Sequence, residues 1–291
     1  MKRQQTLTIF GEALFDCFAN GESVLGGAPF NVAWHLQALG DQPQFISRVG
    51  NDALGDAILS EMQSWGMTTE NVQRDTKHPT GRVIVSLENN QPHYDIAIDS
   101  AYDFIDYDEL KQPPQSGLFY HGSLAARNPV SHQTLQTLTQ AENLAIFVDV
   151  NLRAPWWQKT DLCRWLEQAR WVKLNQDELE SLGFRSADLH QDMTRMHTHF
   201  HLDQLIVTCG EKGAVVRSQD GEFHQVAPAQ ATTVVDTVGA GDAFTAMYIH
   251  GLMAGWPITS TLEKAQAFAS KVVGQRGAIS KNKAFYQGFS A

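Results

Sequence analysis

Asp236-Thr237-Val238-Gly239-Ala240-Gly241-Asp242-Ala243-Phe244 is the most telling run in the chain. Gly239, Ala240 and Gly241 are small, so their backbone N–H groups can approach an anion closely. The segment after them, about Gly241–Ala254, has helical spacing, and a helix N-terminus adds partial positive charge to those amides. Asp242 stands in the first turn, beside the same anion site. A carboxylate next to a phosphoryl centre makes electrostatic sense as a proton acceptor or a metal ligand. Two familiar phosphate loops do not match. A dinucleotide fingerprint needs glycine where Phe244 stands, and the run G-x-x-x-x-G-K-[ST] does not occur. Small residues ahead of a helix can also be purely structural; the adjoining Asp242 is what favours chemistry.

Working outward, strand-like and helix-like segments alternate. Phe45–Val49, Gly117–Tyr120, Leu144–Val150, Trp171–Leu174 and Gln204–Thr208 read as buried strands. Asp52 reads as the N-cap of a helix over Ala53–Trp65, ended by Gly66, and Asp161 as the cap of Leu162–Ala169. Ala214–Arg217 and Glu222–Val226 read as a hairpin, and Pro257–Gly274 as a last long helix. Such alternation predicts an α/β fold, with a mostly parallel sheet covered on both faces. Thr80–Glu88 and His93–Ile98 break the pattern. No helix separates them, so they predict an antiparallel hairpin across Asn89-Asn90-Gln91-Pro92. With Leu14–Leu25 they make a small separate sheet, either a lid over a cleft or a structural edge.

Bulk properties narrow the function. The chain has 291 residues, 43% apolar and 19% charged, an ordinary globular composition. A net charge of -10 repels phosphate backbones and argues against a nucleic-acid partner. Cys17, Cys163 and Cys209 form neither a disulfide framework nor a C-x-x-C zinc site, so a reduced, cytoplasmic compartment is expected. Met1–Gln5 leads into a strand-like Thr6–Phe10 with no apolar leader region. The longest stretch free of Asp, Glu, Lys and Arg, Ala243–Leu262, carries polar and helix-breaking residues, so no membrane span is expected. His197, His199 and His201 alternate and could bind zinc on a strand. Their segment reads instead as a helix end, with the trio on a solvated surface.

Four further motifs stand in order ahead of or beside the opening one. They are Gly26-Gly27-Ala28-Pro29-Phe30-Asn31, Asp149-Val150-Asn151-Leu152-Arg153, Asn175-Gln176-Asp177-Glu178 and Thr208-Cys209-Gly210-Glu211-Lys212-Gly213. Together with Asp236–Asp242 they resemble the signatures of the ribokinase/pfkB carbohydrate kinases. The Asp149–Arg153 run resembles the D-x-N-x-R of fructokinases and 2-keto-3-deoxygluconate kinases, with Val150 where proline is common. Ala28 and Pro29 replace the lysine-containing version of ribokinases, which argues against ribose. The resemblance implies one ribokinase-like α/β domain over residues 1–291. A central, mostly parallel sheet would carry helices on both faces, with lid strands from about 12–25 and 80–98.

The resemblance also implies ATP-dependent phosphorylation of a fructose-like sugar. Asp242 would be the base, and the backbone of Gly239, Ala240, Gly241 and Asp242 the anion hole. Asp16, expected at the end of the first strand, would bind sugar hydroxyls with Gly26, Gly27 and Asn31. Arg153 would meet phosphoryl oxygens or a substrate carboxylate. Asn175 and Glu178 lie one helical turn apart and share a face. The resemblance puts Asn175 by the nucleotide and Glu178 near Mg²⁺, through water, while Thr208, Gly210 and Gly213 would border ATP. Asp236 and the Val238 carbonyl would edge a monovalent cation such as K⁺, beside Gly277. Lys173 receives no role. Rival readings are a 2-keto-3-deoxygluconate kinase and a catalytically silent sugar-binding regulator, which would not need Asp242. A homodimer through lid edges is a further expectation.

Overall fold

The computed structural model describes residues 6–88, 91–227 and 234–289. The main sheet has nine strands. In chain order they are β1 (Leu7–Phe10), β4 (Gln44–Gly50), β5 (Val72–Asp75), β8 (Ser116–His121), β9 (Asn143–Asp149), β10 (Ala169–Asn175), β11 (Gln204–Thr208), β12 (Ala214–Ser218) and β13 (Phe223–Val226). Their spatial order is β13-β12-β11-β10-β9-β8-β1-β4-β5. All neighbours run parallel except β11–β12 and β12–β13, the expected hairpin edge.

Side chains alternate along each strand and so feed two cores. Ile9, Tyr120, Phe147 and Ile206 face one side, where they pack with α1 (Ala28–Leu39), α2 (Ala53–Ser64), α7 (Ala240–Ala254) and α8 (Ile258–Val273). Phe10, Phe119, Val148 and Val207 face the other, with α3 (Pro129–Leu138), α4 (Lys159–Gln168), α5 (Gln176–Ser181) and α6 (Leu189–Phe200). Phe147 and Ile206 are fully buried. Truncating residues of this kind costs about 2–5 kcal/mol, so the sheet is a rigid base for what its strand ends carry.

A second sheet joins β2 (Leu14–Phe18), β3 (Ser23–Gly26), β6 (Gly81–Glu88) and β7 (Gln91–Ile96) in the order β3-β2-β6-β7. The pair β6–β7 is the antiparallel hairpin expected from the sequence, with β7 starting at Gln91 rather than His93. Asn89 and Asn90 of its turn, and Met1–Gln5, lie outside the described residues. Asp52 caps α2, accepting from the Gly55 N–H at 2.8 Å, and its carboxylate also takes the Thr80 N–H and hydroxyl. A cap of this kind is worth about 1 kcal/mol, and here it also roots the lid strand β6. At the far edge Glu22 meets Arg276 at 2.6 Å, an exposed pair that contributes little.

Two boundaries differ from the sequence expectation. α4 starts at Lys159 with Gln158 as N-cap, and Asp161 sits inside its first turn, where its charge still suits the helix dipole. Asp16 is not at the end of the first strand. The chain breaks after β1 at Gly11 and re-enters as β2 of the lid, which carries Asp16. Among the described residues no helix is long and apolar enough to cross a membrane.

Candidate active site

Gly239 opens α7 with φ +77°, the left-handed region, and offers no side chain to cap the helix. The Ala240 N–H donates to the Thr237 carbonyl at 3.3 Å and the Ala243 N–H to the Gly239 carbonyl at 2.8 Å, which leaves the Gly241 and Asp242 amides as the first-turn donors without an intrahelical acceptor. Glycine is required at 239 for a second reason: a Cβ there would fall 2.3 Å from the Ala278 Cβ. Asp242 lies in that turn, partly exposed at the cleft floor. Burial is the main cause that pushes its carboxyl up to about 6, with Asp149 adding to the rise; Asn31, Lys173 and Arg153 oppose it.

Asn31, expected to contact sugar, reaches the base itself. Its Nδ2 donates to Asp242 Oδ2 at 2.8 Å, while its Oδ1 is buried without a partner. Gly27 precedes α1 with φ +105°, and a Cβ there would lie 2.6 Å from the Glu12 carbonyl oxygen. Gly26 backs directly onto Asp16, since a Cβ on it would lie 2.9 Å from Asp16 Oδ2. Burial raises Asp16 to about 6, with Arg153 opposing. Arg153 is exposed and donates to the Leu152 carbonyl. Its charge acts on Asp16, Glu12 and Asp242 together, so the structure brings it to the sugar motifs.

Asn175 and Glu178 share a face as expected, but their first task is structural. The Asn175 side chain accepts from the Glu178 N–H and Glu178 Oε2 from the Asn175 N–H, both at 2.8 Å, forming a capping box for α5. Glu178 Oε1 also accepts from the Leu152 N–H at 2.7 Å. Among the described residues no group of three or more His, Cys, Asp or Glu is placed to hold a metal ion directly. Glu178 fits a water-mediated magnesium site: each carboxylate oxygen accepts one amide and keeps a second lone pair for a bound water. Asp236 is likewise engaged, taking the Val238 N–H on Oδ1 and the Gly277 N–H on Oδ2, both at 3.0 Å. It thus sets the loop carbonyls in place beside Gly277.

Two cavities meet at the 236–241 loop. One, of about 540 Å³, is lined by Thr208, Gly210, Gly213, Thr237, Gly241 and Phe244, with α8 behind. It contains three of the four residues expected beside the nucleotide; the fourth, Asn175, does not line it but stands next to Thr208 across the β10–β11 ladder. The other, of about 750 Å³, lies under the lid, between Asp16, Val24 and Val85 on one side and Asp236, Val238 and Gly277 on the other.

Sequence reasoning missed Lys173 and Glu12. Lys173 Nζ lies 3.1 and 3.2 Å from the two oxygens of Asp149, and Thr245 Oγ1 donates to Asp149 Oδ2 at 2.9 Å. A Cβ on Gly241 would come within 3.3 Å of that ammonium, so Lys173 stands under the anion turn. Burial draws its pKa down, but Asp149, Glu178 and Asp242 more than offset this, and the net shift is upward. A lysine inside a buried strand was itself a signal, because such charges need a partner. Glu12 is buried with Oε2 unpartnered, and loss of water raises its carboxyl to about 7.

The histidine trio divides. His199 and His201 are exposed, but His197 is buried and meets Arg217 Nη1 at 2.9 Å, contrary to the solvated surface expected for all three. Arg217 donates there, so His197 Nδ1 is an acceptor and the ring is neutral. We expect no zinc to copurify. Changing His199 and His201 to Ala should leave activity unchanged, whereas His197→Ala should lower the unfolding midpoint by taking the acceptor from Arg217 Nη1 and leaving only the Thr194 hydroxyl to its Nε. Stoichiometric zinc by elemental analysis would contradict this.

Residues 10–284 match the model of the pfkB family carbohydrate kinases. A fructokinase of Klebsiella pneumoniae is 30% identical over 263 residues, covering 84% of each chain. A 5-dehydro-2-deoxygluconokinase of Geobacillus thermodenitrificans is 25% identical over 86% of this chain and 78% of its own. Among solved structures, a sugar kinase from Pyrococcus horikoshii superposes with a TM-score of 0.84 at 24% identity, over 97% of this chain and 96% of that one. A fructokinase from Vibrio cholerae, a double mutant with fructose, ADP and potassium ion bound, also gives 0.84, at 22% identity over 97% of each. Below 25% identity these likenesses speak for the fold, a ribokinase-like core with its lid.

Proposed function

Because this chain belongs to the pfkB family of carbohydrate kinases, we propose that it transfers the γ-phosphoryl group of ATP to a terminal hydroxyl of fructose or a similar ketose. The observation that carries this reading is the position of Asp242. It lies in the first turn of α7, directly after Ala240 and Gly241 of the nucleotide-side cavity, with its carboxylate oriented by Asn31.

ATP occupies the cavity bordered by Thr208, Gly210 and Gly213, with its γ-phosphate over the amides of Gly239–Asp242. The sugar lies under the lid on Asp16, Gly26 and Gly27, with Arg153 at its edge. Lid closure keeps water from the phosphoryl group. The sugar oxygen attacks the γ-phosphorus, the bond to the bridging oxygen of ADP breaks, and Asp242 takes the hydroxyl proton. The α7 amides and the Lys173 ammonium meet the shifting negative charge. Magnesium, when bound, neutralises phosphate charge, and Glu178 would hold its water shell. Asp236 and the Val238 carbonyl would edge a potassium ion. The free lid edges are β3 and β7, and a homodimer pairing through them is part of the proposal.

The test is an ADP-release screen with fructose, tagatose, 2-keto-3-deoxygluconate, ribose and nucleosides. Fructose should give the highest kcat/KM. A preference for 2-keto-3-deoxygluconate would assign Arg153 to its carboxylate and replace the fructose reading. Sugar binding without ADP release from any of them would leave the silent regulator.

A further inference from the structure

α1 does more than carry Asn31. One turn further along, Trp34 Nε1 donates to the Ser280 carbonyl at 3.0 Å. His35 lies 3.1 Å through Nε2 from the Ala278 carbonyl and 3.0 Å through Nδ1 from the Tyr286 hydroxyl. His35 is fully buried. Burial lowers its pKa to about 3, so the ring is neutral and carries one N–H. A carbonyl can only accept, so that proton is on Nε2, and Nδ1 is one of two acceptors within reach of the Tyr286 hydroxyl, the other being the Ser280 carbonyl at 3.2 Å. The ring is therefore a fixed brace, with donor toward Ala278 and acceptor toward Tyr286.

The segment it holds is the other wall of the phosphoryl site. Ala278 is packed so tightly on Gly239 that no Cβ fits between them. Gly277 donates to Asp236, whose other oxygen fixes Val238. Segment 277–280 is thus clamped between α1 and the loop that opens α7, and both clamps reach the α7 N-terminus. From this geometry we infer that His35 is a positioning residue: its Nε2–H bond to Ala278 sets the strap that holds Gly239 and the anion turn in register with Asn31 and Asp242. The inference deepens the kinase reading and rests on it for its kinetic consequence. The mechanical part stands on the contacts alone.

Two substitutions of the whole chain separate donor from bulk. His35→Met fills the space without an N–H. His35→Gln returns an amide N–H near the Nε2 position. A turn displaced by a fraction of an ångström should cost kcat about 10- to 100-fold while leaving the KM for sugar near wild type, because Asp16 and Gly26 are not on the strap. We expect that split in His35→Met and recovery of most of kcat in His35→Gln. Hydrogen exchange gives a readout independent of activity: amides of 236–241 and 277–280 should exchange faster in His35→Met and return toward wild type in His35→Gln. Unchanged exchange in His35→Met, or His35→Gln behaving no better, overturns the inference. Should the wild type phosphorylate no sugar, the kinase reading fails while exchange still decides the brace.

Discussion

Asp242→Asn is expected to bind sugar and ATP almost as the wild type does, and to lose about 10²–10⁴-fold in kcat, the range for loss of a general base. The substituted amide keeps an oxygen for Asn31, so the local hydrogen bond at 2.8 Å can persist. Binding is read by calorimetry and turnover by ADP release. The pH profile gives an independent view. The carboxyl sits near 6 because burial removes its water, and the base works only when ionised. Wild-type kcat should therefore be full above about pH 7 and fall roughly tenfold per unit below pH 6. That limb should be missing from the residual activity of the variant. Turnover at the wild-type level would remove Asp242 from the mechanism.

Lys173→Met should have the next largest effect, and a composite one. It removes an ammonium beneath the anion turn, at an expected cost of about 10²–10³-fold in kcat. It also strands the Asp149 carboxylate, 1% exposed, and breaking a buried pair from one side costs about 3–5 kcal/mol of stability. Pairing Lys173→Met with Asp149→Asn separates the two effects. The double variant leaves no stranded charge at position 149, so its urea midpoint should recover toward wild type while kcat stays low. Recovery of turnover along with stability would show that Lys173 serves the fold alone.

The features legible in the sequence are those settled over short distances. The Asp52 cap, the hairpins, the glycine-rich entry to α7 and the Asn175–Glu178 pair each depend on residues within a few positions of one another. The sheet was legible because a strand between two helix layers must be apolar on both faces and so reads as a continuous apolar run between helical segments. What stayed hidden depends on chain segments meeting from far away. Asn31 and Asp242 are 211 positions apart, and no local pattern says that the asparagine orients the base. Lys173 and Asp149 stand on neighbouring strands, 24 positions apart. Asp16 moved into the lid because Gly11 breaks the chain after four residues of β1. No local pattern around His35 sets it apart in the sequence. Its meaning comes only from the C-terminal strap packed across it.

In the proposed reaction the α7 N-terminus holds the transferring phosphoryl group while Asp242 deprotonates the sugar. A crystal structure with fructose and a non-hydrolysable ATP analogue tests it most directly. The γ-phosphate should lie on the amides of Gly239–Asp242 and the terminal sugar hydroxyl within about 3 Å of the Asp242 carboxylate. A nucleotide or sugar seated away from that turn, with the hydroxyl out of reach of Asp242, would contradict it.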